Sequence, residues 1–252
     1  MPRTGREKSK SGIYHIVLRG INRQTIFEEE EDSLKYLKTL QDFKEKSGYQ
    51  IYAYCLMGNH IHLLLKEGQE ELGIIMRRIG ASYVYWYNWK YGRCGHLFQD
   101  RYKSETVEDE SYFLTVLRYI HQNPLQAGIV KDFATYKWSS YSEYLKESTV
   151  LDTDFALDLF SNDRKTAVER FKAFHLASNN DHCLDIEEYR KLTDNEAIEI
   201  IKRISNVRHC TEVQTLDKNK RNSFLIAFKN AGLSTRQIAR LTGISRGVIL
   251  KV

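Results

Sequence analysis

Proline is nearly absent: Pro2 and Pro124 are the only two in 252 residues. The chain therefore lacks proline-marked linkers, and its domain boundaries carry little local punctuation. Cysteine is also sparse. Cys55, Cys94, Cys183 and Cys210 are widely scattered with no CxxC pair, which excludes a zinc ribbon or a thioredoxin-like site. A chain of this size needs no disulfides, and a reducing cytoplasm is the default. No apolar stretch approaches the length of a membrane span, and the N-terminus has no apolar signal core. There is no internal repeat and no low-complexity tract. Acidic residues are missing altogether from Lys218 to Val252, whereas Lys218, Lys220, Arg221, Lys229, Arg236, Arg240, Arg246 and Lys251 are basic.

What is present is a globular composition: 42% of residues are apolar, enough for a substantial core. The formal charge is +5 and the pI about 8.8. The excess is modest, but its placement is informative. The N-terminal run carries Arg3, Arg6, Lys8 and Lys10 against Glu7 alone. Basic ends around a more neutral middle suggest a polyanionic partner.

The hydrophobic pattern alternates between periods of two and 3.6. Residues 12–18 read as a strand, 31–46 as a helix stopped by Gly48, and 49–57 as a second strand. Gly58-Asn59 is a turn pair leading into a third strand at His60. Residues 71–89 read as a second helix and 97–107 as a fourth strand. This order predicts an α+β fold: a ferredoxin-like βαββαβ antiparallel sheet with helices on one face. A third helix is expected over 110–122, stopped by Asn123-Pro124. Beyond it the chain is mostly helical, with candidates at 155–160, 164–177, 196–204 and 220–231. The expected domains are 1–150 and 151–252.

The chemistry starts at Asn59-His60-Ile61-His62-Leu63-Leu64-Leu65. A strand repeats every two residues, so His60 and His62 project from one face and Ile61, Leu63 and Leu65 from the other. On the third helix, Tyr119 and Asn123 are four residues apart and share a side. If that helix packs beside the histidine strand, His60, His62 and Asn123 surround a divalent ion with Tyr119 adjacent. Gln122 is a rival third ligand, ranked second, and His121 falls on another helix face, as a structural residue would. Such a site suits phosphoryl transfer. A metal polarises the phosphate, and the hydroxyl of Tyr119 attacks it. Mixed nitrogen and oxygen donors with open positions suit Mg2+ or Mn2+, although imidazoles also take zinc or nickel.

His60-Ile61-His62 resembles the HUH motif, two histidines flanking a bulky apolar residue. Tyr119-Ile120-His121-Gln122-Asn123-Pro124-Leu125-Gln126-Ala127-Gly128 resembles the tyrosine helix of the single-tyrosine HUH transposases, most closely the subgroup associated with repetitive extragenic palindromes. Arg19-Gly20-Ile21-Asn22-Arg23-Gln24, Phe98 to Ser104 and Trp138-Ser139-Ser140-Tyr141 follow in matching order, and the resemblance covers about residues 1–145. It implies a metal-dependent endonuclease and strand transferase that cuts single-stranded DNA near hairpins through a 5′-phosphotyrosine. Carried over, Tyr119 becomes the nucleophile and His60 and His62 metal ligands. Asn123 stands where the insertion-sequence branch has glutamine, and Leu125-Gln126 replaces valine-arginine. The implied partners are single-stranded or hairpin DNA, from repetitive palindromes or element ends, and a second copy of the chain as a homodimer. Relatives build the site within one chain or across that dimer.

Arg19, Arg23, Gln99, Arg101 and Lys103 are candidate DNA contacts, with Arg101 and Lys103 on one face of the fourth strand. Aromatic residues crowd the second helix between Tyr83 and Tyr91 and are expected to be mostly core or dimer contacts. Residues 233–252 read as a helix-turn-helix with Ser234 or Thr235 as the first cap, Gly243 in the turn, and Arg236 and Arg246 as DNA contacts. Val252 barely completes its second helix, as in a chain cut short. Two rivals to the enzyme are a catalytically idle, domesticated hairpin binder or regulator, and a zinc-stabilised structural site, for which no fourth ligand is evident.

Overall fold

A computed structural model describes residues 6–146, 150–185 and 192–252. Arg3 of the basic N-terminal run lies outside them. Four antiparallel strands, β1 (Ile13–Arg19), β2 (Gln50–Met57), β3 (His60–Lys66) and β4 (Lys103–Thr106), form one sheet in the order β2-β3-β1-β4. Three helices accompany it: α1 (Glu30–Ser47), α2 (Leu72–Lys90) and α3 (Glu110–Gln126). The chain order and strand order are those of the expected ferredoxin-like plan.

Strand alternation sorts the sheet into two faces. Ile16, Leu18, Ile61, Leu63 and Leu65 are fully or nearly fully buried in one core with Tyr36 and Leu40 of α1 and Ile75, Ile79 and Tyr83 of α2. Tyr36 and Tyr83 meet edge to face at 5.1 Å, an arrangement worth about 0.5–1.5 kcal/mol beyond burial. Tyr83 and Tyr87 are core residues as expected, whereas Tyr85 and Trp89 are exposed. Asp32 fastens the start of α1 by accepting the Glu28 and Glu29 N–H groups at 2.7 and 2.8 Å, and it also holds Lys90 at 2.8 Å. Gly48 ends α1 at φ 67°, a left-handed cap that suits glycine.

The other face carries His15, His60 and His62 and is covered by α3, which packs on β2 and β3. Contrary to expectation, Asn123-Pro124 does not stop this helix, which runs to Gln126. Pro124 removes one donor, but it lies in the last turn, where the Asn123 carbonyl still takes the Ala127 N–H at 2.9 Å. Asn123 therefore keeps helical geometry and stays on the Tyr119 side. The fourth strand is shorter than 97–107. Only Phe98 pairs outside it, with Gly20, and Arg101 precedes the strand, so it does not share a strand face with Lys103.

Two compact units divide the chain at Met1–Ile186 and Glu187–Val252, later than the expected boundary near 150. The reason is packing. In the first unit, α4 (Asp154–Asp158) and α5 (Arg164–Leu176) dock onto the α3 side. Phe155 meets Phe113 at 5.1 Å and Phe171 stacks on Tyr144 at 4.6 Å. The second unit contains α6 (Asp194–Ser205), α7 (Lys218–Asn230), α8 (Thr235–Thr242) and α9 (Arg246–Leu250) around Ile201, Val213, Leu225, Phe228, Ile238 and Ile249. Ser234 caps α8 in a reciprocal pair with Gln237 at 3.2 and 3.3 Å. Gly243, at φ 76°, turns the chain toward α9.

Candidate active site

Pairing across three strands sets the floor of the site. His60 lies opposite Arg19 and His62 opposite Val17 on β1, and Val17 is in turn opposite Lys103 on β4. Directly opposed residues share a face, so His60, His62, Arg19 and Lys103 all lie on the α3 side. His15, two residues before Val17, is on that face too and faces Glu105 across the β1–β4 pair. His60 and His62 meet edge to face with ring centres 5.1 Å apart, while His15 and His62 stack at 5.4 Å.

Helix α3 supplies the roof. Tyr119 stands edge-on to both His62 and His15, with ring centres at 5.9 and 6.0 Å. The amide of Asn123 reaches His62, Nδ2 to Nε2, at 3.3 Å. Gln122 turns away: its Nε2 donates to the His175 carbonyl at 2.7 Å and its Oε1 accepts from Asn179 at 3.1 Å. His121 is buried in a separate network. Its Nδ1 lies 2.9 Å from His175 Nε2 and its Nε2 2.8 Å from Ser140 Oγ.

The donor chemistry fits a divalent cation. Asn59 Nδ2 donates to the Arg23 carbonyl at 3.4 Å, which turns its Oδ1 toward His60 Nδ1 at 2.7 Å. His60 Nδ1 then donates to that oxygen. Burial, followed by the neighbouring His15 and His60, pushes His62 well below the usual histidine range, so its ring is neutral as a ligand must be. A half-turn of the Asn123 amide exchanges its nitrogen for its oxygen. Among the described residues, no group of three or more His, Cys, Asp or Glu side chains is arranged to hold a metal.

Tyr119 is 6% exposed. Burial, and then the Asp185 carboxylate, push its hydroxyl above the ordinary phenol range, while the Asn123 side chain opposes the shift. The hydroxyl donates to Asp185 Oδ2 at 3.2 Å. Asp185 belongs to a segment that sequence reasoning missed. Asp181 grips Arg118 through two contacts of 2.6 and 3.0 Å, and the Leu184 N–H donates to Glu105 at 3.0 Å. Beside Tyr119 this segment leaves a cavity of about 390 Å³ lined by Gln126, Asn180, His182, Cys183 and Asp185. Nothing local in the sequence marks Asp185. His15 did carry a signal, because it alternates with Ile16 in the first strand.

The candidate DNA contacts are distributed unevenly. Arg19 is buried beside His60, and its carbonyl accepts the Gln99 N–H at 2.8 Å. Lys103 is exposed on the His62 face, and Gln99, Arg23 and Arg101 are exposed. Arg23 sits in a short 3₁₀ turn at φ 62°. Arg236 and Arg246 are exposed in the second unit, on α8 and α9.

Residues 8–123 match the family described as transposase, IS200-like. The matched segment contains His15, His60, His62, Glu105, Tyr119 and Asn123, whereas Asp185 lies beyond it. Among solved structures, the chain is similar to a REP-associated tyrosine transposase bound to a REP hairpin, at 18% identity and a TM-score of 0.49, covering 61% of this chain and 96% of that one. It is also similar to a transposase from Deinococcus radiodurans described as hypothetical in function, at 19% identity and a TM-score of 0.35, covering 48% of this chain and 97% of that one. No curated protein matches.

Proposed function

We propose that this chain is a single-strand DNA endonuclease and strand transferase of the transposase type, acting beside DNA hairpins. The observation that carries the reading is the meeting of Tyr119, His62 and Asn123 within one transposase segment. Tyr119 Oη attacks the scissile phosphorus, forming a phosphotyrosine linked to the DNA 5′ side. The bond from phosphorus to the 3′ oxygen breaks, and that oxygen leaves as a 3′-hydroxyl after taking up a proton. The tyrosine proton passes to solvent or to Asp185, which already accepts its hydrogen bond. Mg2+ or Mn2+, held by His60, His62 and Asn123, would neutralise charge on the non-bridging phosphate oxygens. Arg19 and Lys103 hold the backbone phosphates on the same face, with Arg23, Gln99 and Arg101 extending the track.

The second unit is a DNA-binding module in this reading, with α8 and α9 as helix-turn-helix and Arg236 and Arg246 as contacts. Such a protein works at the nucleoid, in the cytoplasm, and as a single chain or a homodimer. No helix among the described residues is long and apolar enough to cross a membrane. Hairpin binding without cleavage is the second reading, favoured by one observation: Tyr119 is buried and engaged by Asp185.

The test is incubation of the full chain with labelled, hairpin-flanked single strands and Mg2+ or Mn2+, followed by a denaturing gel. A covalent adduct that disappears in Tyr119→Phe, with loss of about 10³-fold or more, is expected. Hairpin retention with neither adduct nor cut strand across a broad oligonucleotide set would replace the enzyme by the binder.

A further inference from the structure

His15 is a fully buried histidine whose Nε2 lies 3.2 Å from Nδ1 of His62. A nitrogen–nitrogen hydrogen bond needs one ring to bring the hydrogen and the other to bring a lone pair. Two arrangements satisfy the pair itself, and the groups at its ends choose between them. At one end, His15 Nδ1 has no partner within hydrogen-bond distance, and Glu105 Oε2 lies 3.6 Å from it. A carboxylate only accepts, so it favours a hydrogen on His15 Nδ1 and repels a lone pair there. His15 Nε2 is then bare and must accept from His62 Nδ1–H. At the other end, His62 Nε2 is then bare, 3.3 Å from the Asn123 amide, which can donate to it through its nitrogen. The opposite arrangement would put a lone pair against the Glu105 carboxylate.

We propose that Glu105 and His15 are positioning residues that lock the proton of His62 on Nδ1, so that Nε2 is presented as a lone pair beside Tyr119 and Asn123. The strand register makes this possible: Glu105 faces His15 across β1–β4, and His15 sits diagonally to His62 across β1–β3. Glu105 is itself held by the Leu184 N–H at 3.0 Å. His60 Nδ1 is likewise held, by Asn59 Oδ1 at 2.7 Å. Outer partners of this kind fix ligand tautomers and typically account for about 10- to 100-fold in metal affinity. The proposal rests on the reading of His62 as a metal ligand.

The test has two readouts on the full chain. Nitrogen-15 NMR of the metal-free protein reports which ring nitrogen of His62 is protonated. Titration with Mn2+ alone, followed by electron paramagnetic resonance, reports affinity. In the unaltered protein, His62 should be protonated at Nδ1. His15→Phe should move that proton toward Nε2 and weaken Mn2+ binding about 10- to 100-fold. His15→Gln offers a carbonyl to accept His62 Nδ1–H and should restore most of the affinity. His62→Ala separates two failures. If it leaves Mn2+ binding intact, the metal-site reading fails. If it abolishes binding while His15→Phe binds as tightly as the unaltered chain, only the positioning role fails. A His62 protonated at Nε2 in the unaltered protein overturns the proposal directly, whether or not His15→Phe folds.

Discussion

Two buried histidine pairs lie on different flanks of α3, and they differ in where their hydrogen bonds end. In the His121–His175 pair, His175 Nδ1 faces the Phe171 carbonyl at 2.9 Å, and a carbonyl can only accept. His175 Nε2 therefore accepts from His121 Nδ1–H, and His121 Nε2 accepts from the Ser140 hydroxyl. Ser140 Oγ then takes the Tyr54 N–H at 2.9 Å. Every ring nitrogen is used, and the chain of bonds ties α5 to α3 and β2. The His15–His62 pair ends instead at an amide next to a tyrosine. Burial alone would not separate the pairs, since all four rings are fully buried. On the proposed reading, what separates a structural pair from a ligand-presenting one is whether a lone pair is left facing a group that can turn away.

The largest effects should come from breaking each pair at its centre. His62→Ala is expected to reduce adduct formation on the order of 10³-fold in the cleavage gel, with the fold retained. His121→Ala should do the reverse. It leaves a cavity and orphans His175 and Ser140, costing about 3–5 kcal/mol in urea unfolding, while Mn2+ affinity of the folded fraction stays unchanged. Equal stability losses in both variants would erase the distinction.

A pH titration sharpens it further. Burial, only partly opposed by the Phe171 carbonyl, pulls His175 down to about 4 from its ordinary 6.5. The unfolded chain therefore binds the proton more readily. The stability contribution of neutral His175 is complete above pH ~6.5 and is lost as pH falls toward about 4, a change of roughly 3 kcal/mol. His15, His62 and His121 are shifted in the same direction. Urea midpoints measured from pH 7 to 4 should fall steeply, and a flat profile would contradict the neutral network.

Next come the amides. Asn123→Ala should weaken Mn2+ binding by about tenfold or more. Gln122→Ala should leave Mn2+ binding unchanged and cost about 1–2 kcal/mol of stability, through the orphaned His175 carbonyl and Asn179. The opposite pattern in isothermal titration would make Gln122 the ligand. The smallest effect is expected at Asn59→Ala, which frees the His60 ring. A few-fold loss of Mn2+ affinity with stability changed by less than about 0.5 kcal/mol should result.

Much of the first unit could be read locally. Strand alternation at 13–18 and 60–65 and helical spacing at 31–46 and 71–89 correspond to observed elements within a few residues. The fourth strand is shorter than its pattern because Phe98 touches Gly20 by a single bridge, and a propensity pattern does not distinguish one bridge from a ladder. Pro124 misled because a proline is a stop signal by default, yet in a last helical turn it removes one bond and no more. The docking of 151–185 had no local mark. Phe155, Phe171 and Asp185 find partners 42, 27 and 66 positions earlier in the chain, at Phe113, Tyr144 and Tyr119.

The sequence by itself determined that His60 and His62 share a strand face, because side chains alternate with period two. It likewise determined that Tyr119 and Asn123 share a helix side, because four residues make little more than one turn. Only the tertiary structure decided that β1 lies between β3 and β4, which inserts His15 between Glu105 and His62. It also decided that α3 covers that face, with Asp185 against Tyr119. The physical reason is range: periodicity acts over a few residues, whereas strand order and helix docking come from burying surfaces that lie far apart in the chain.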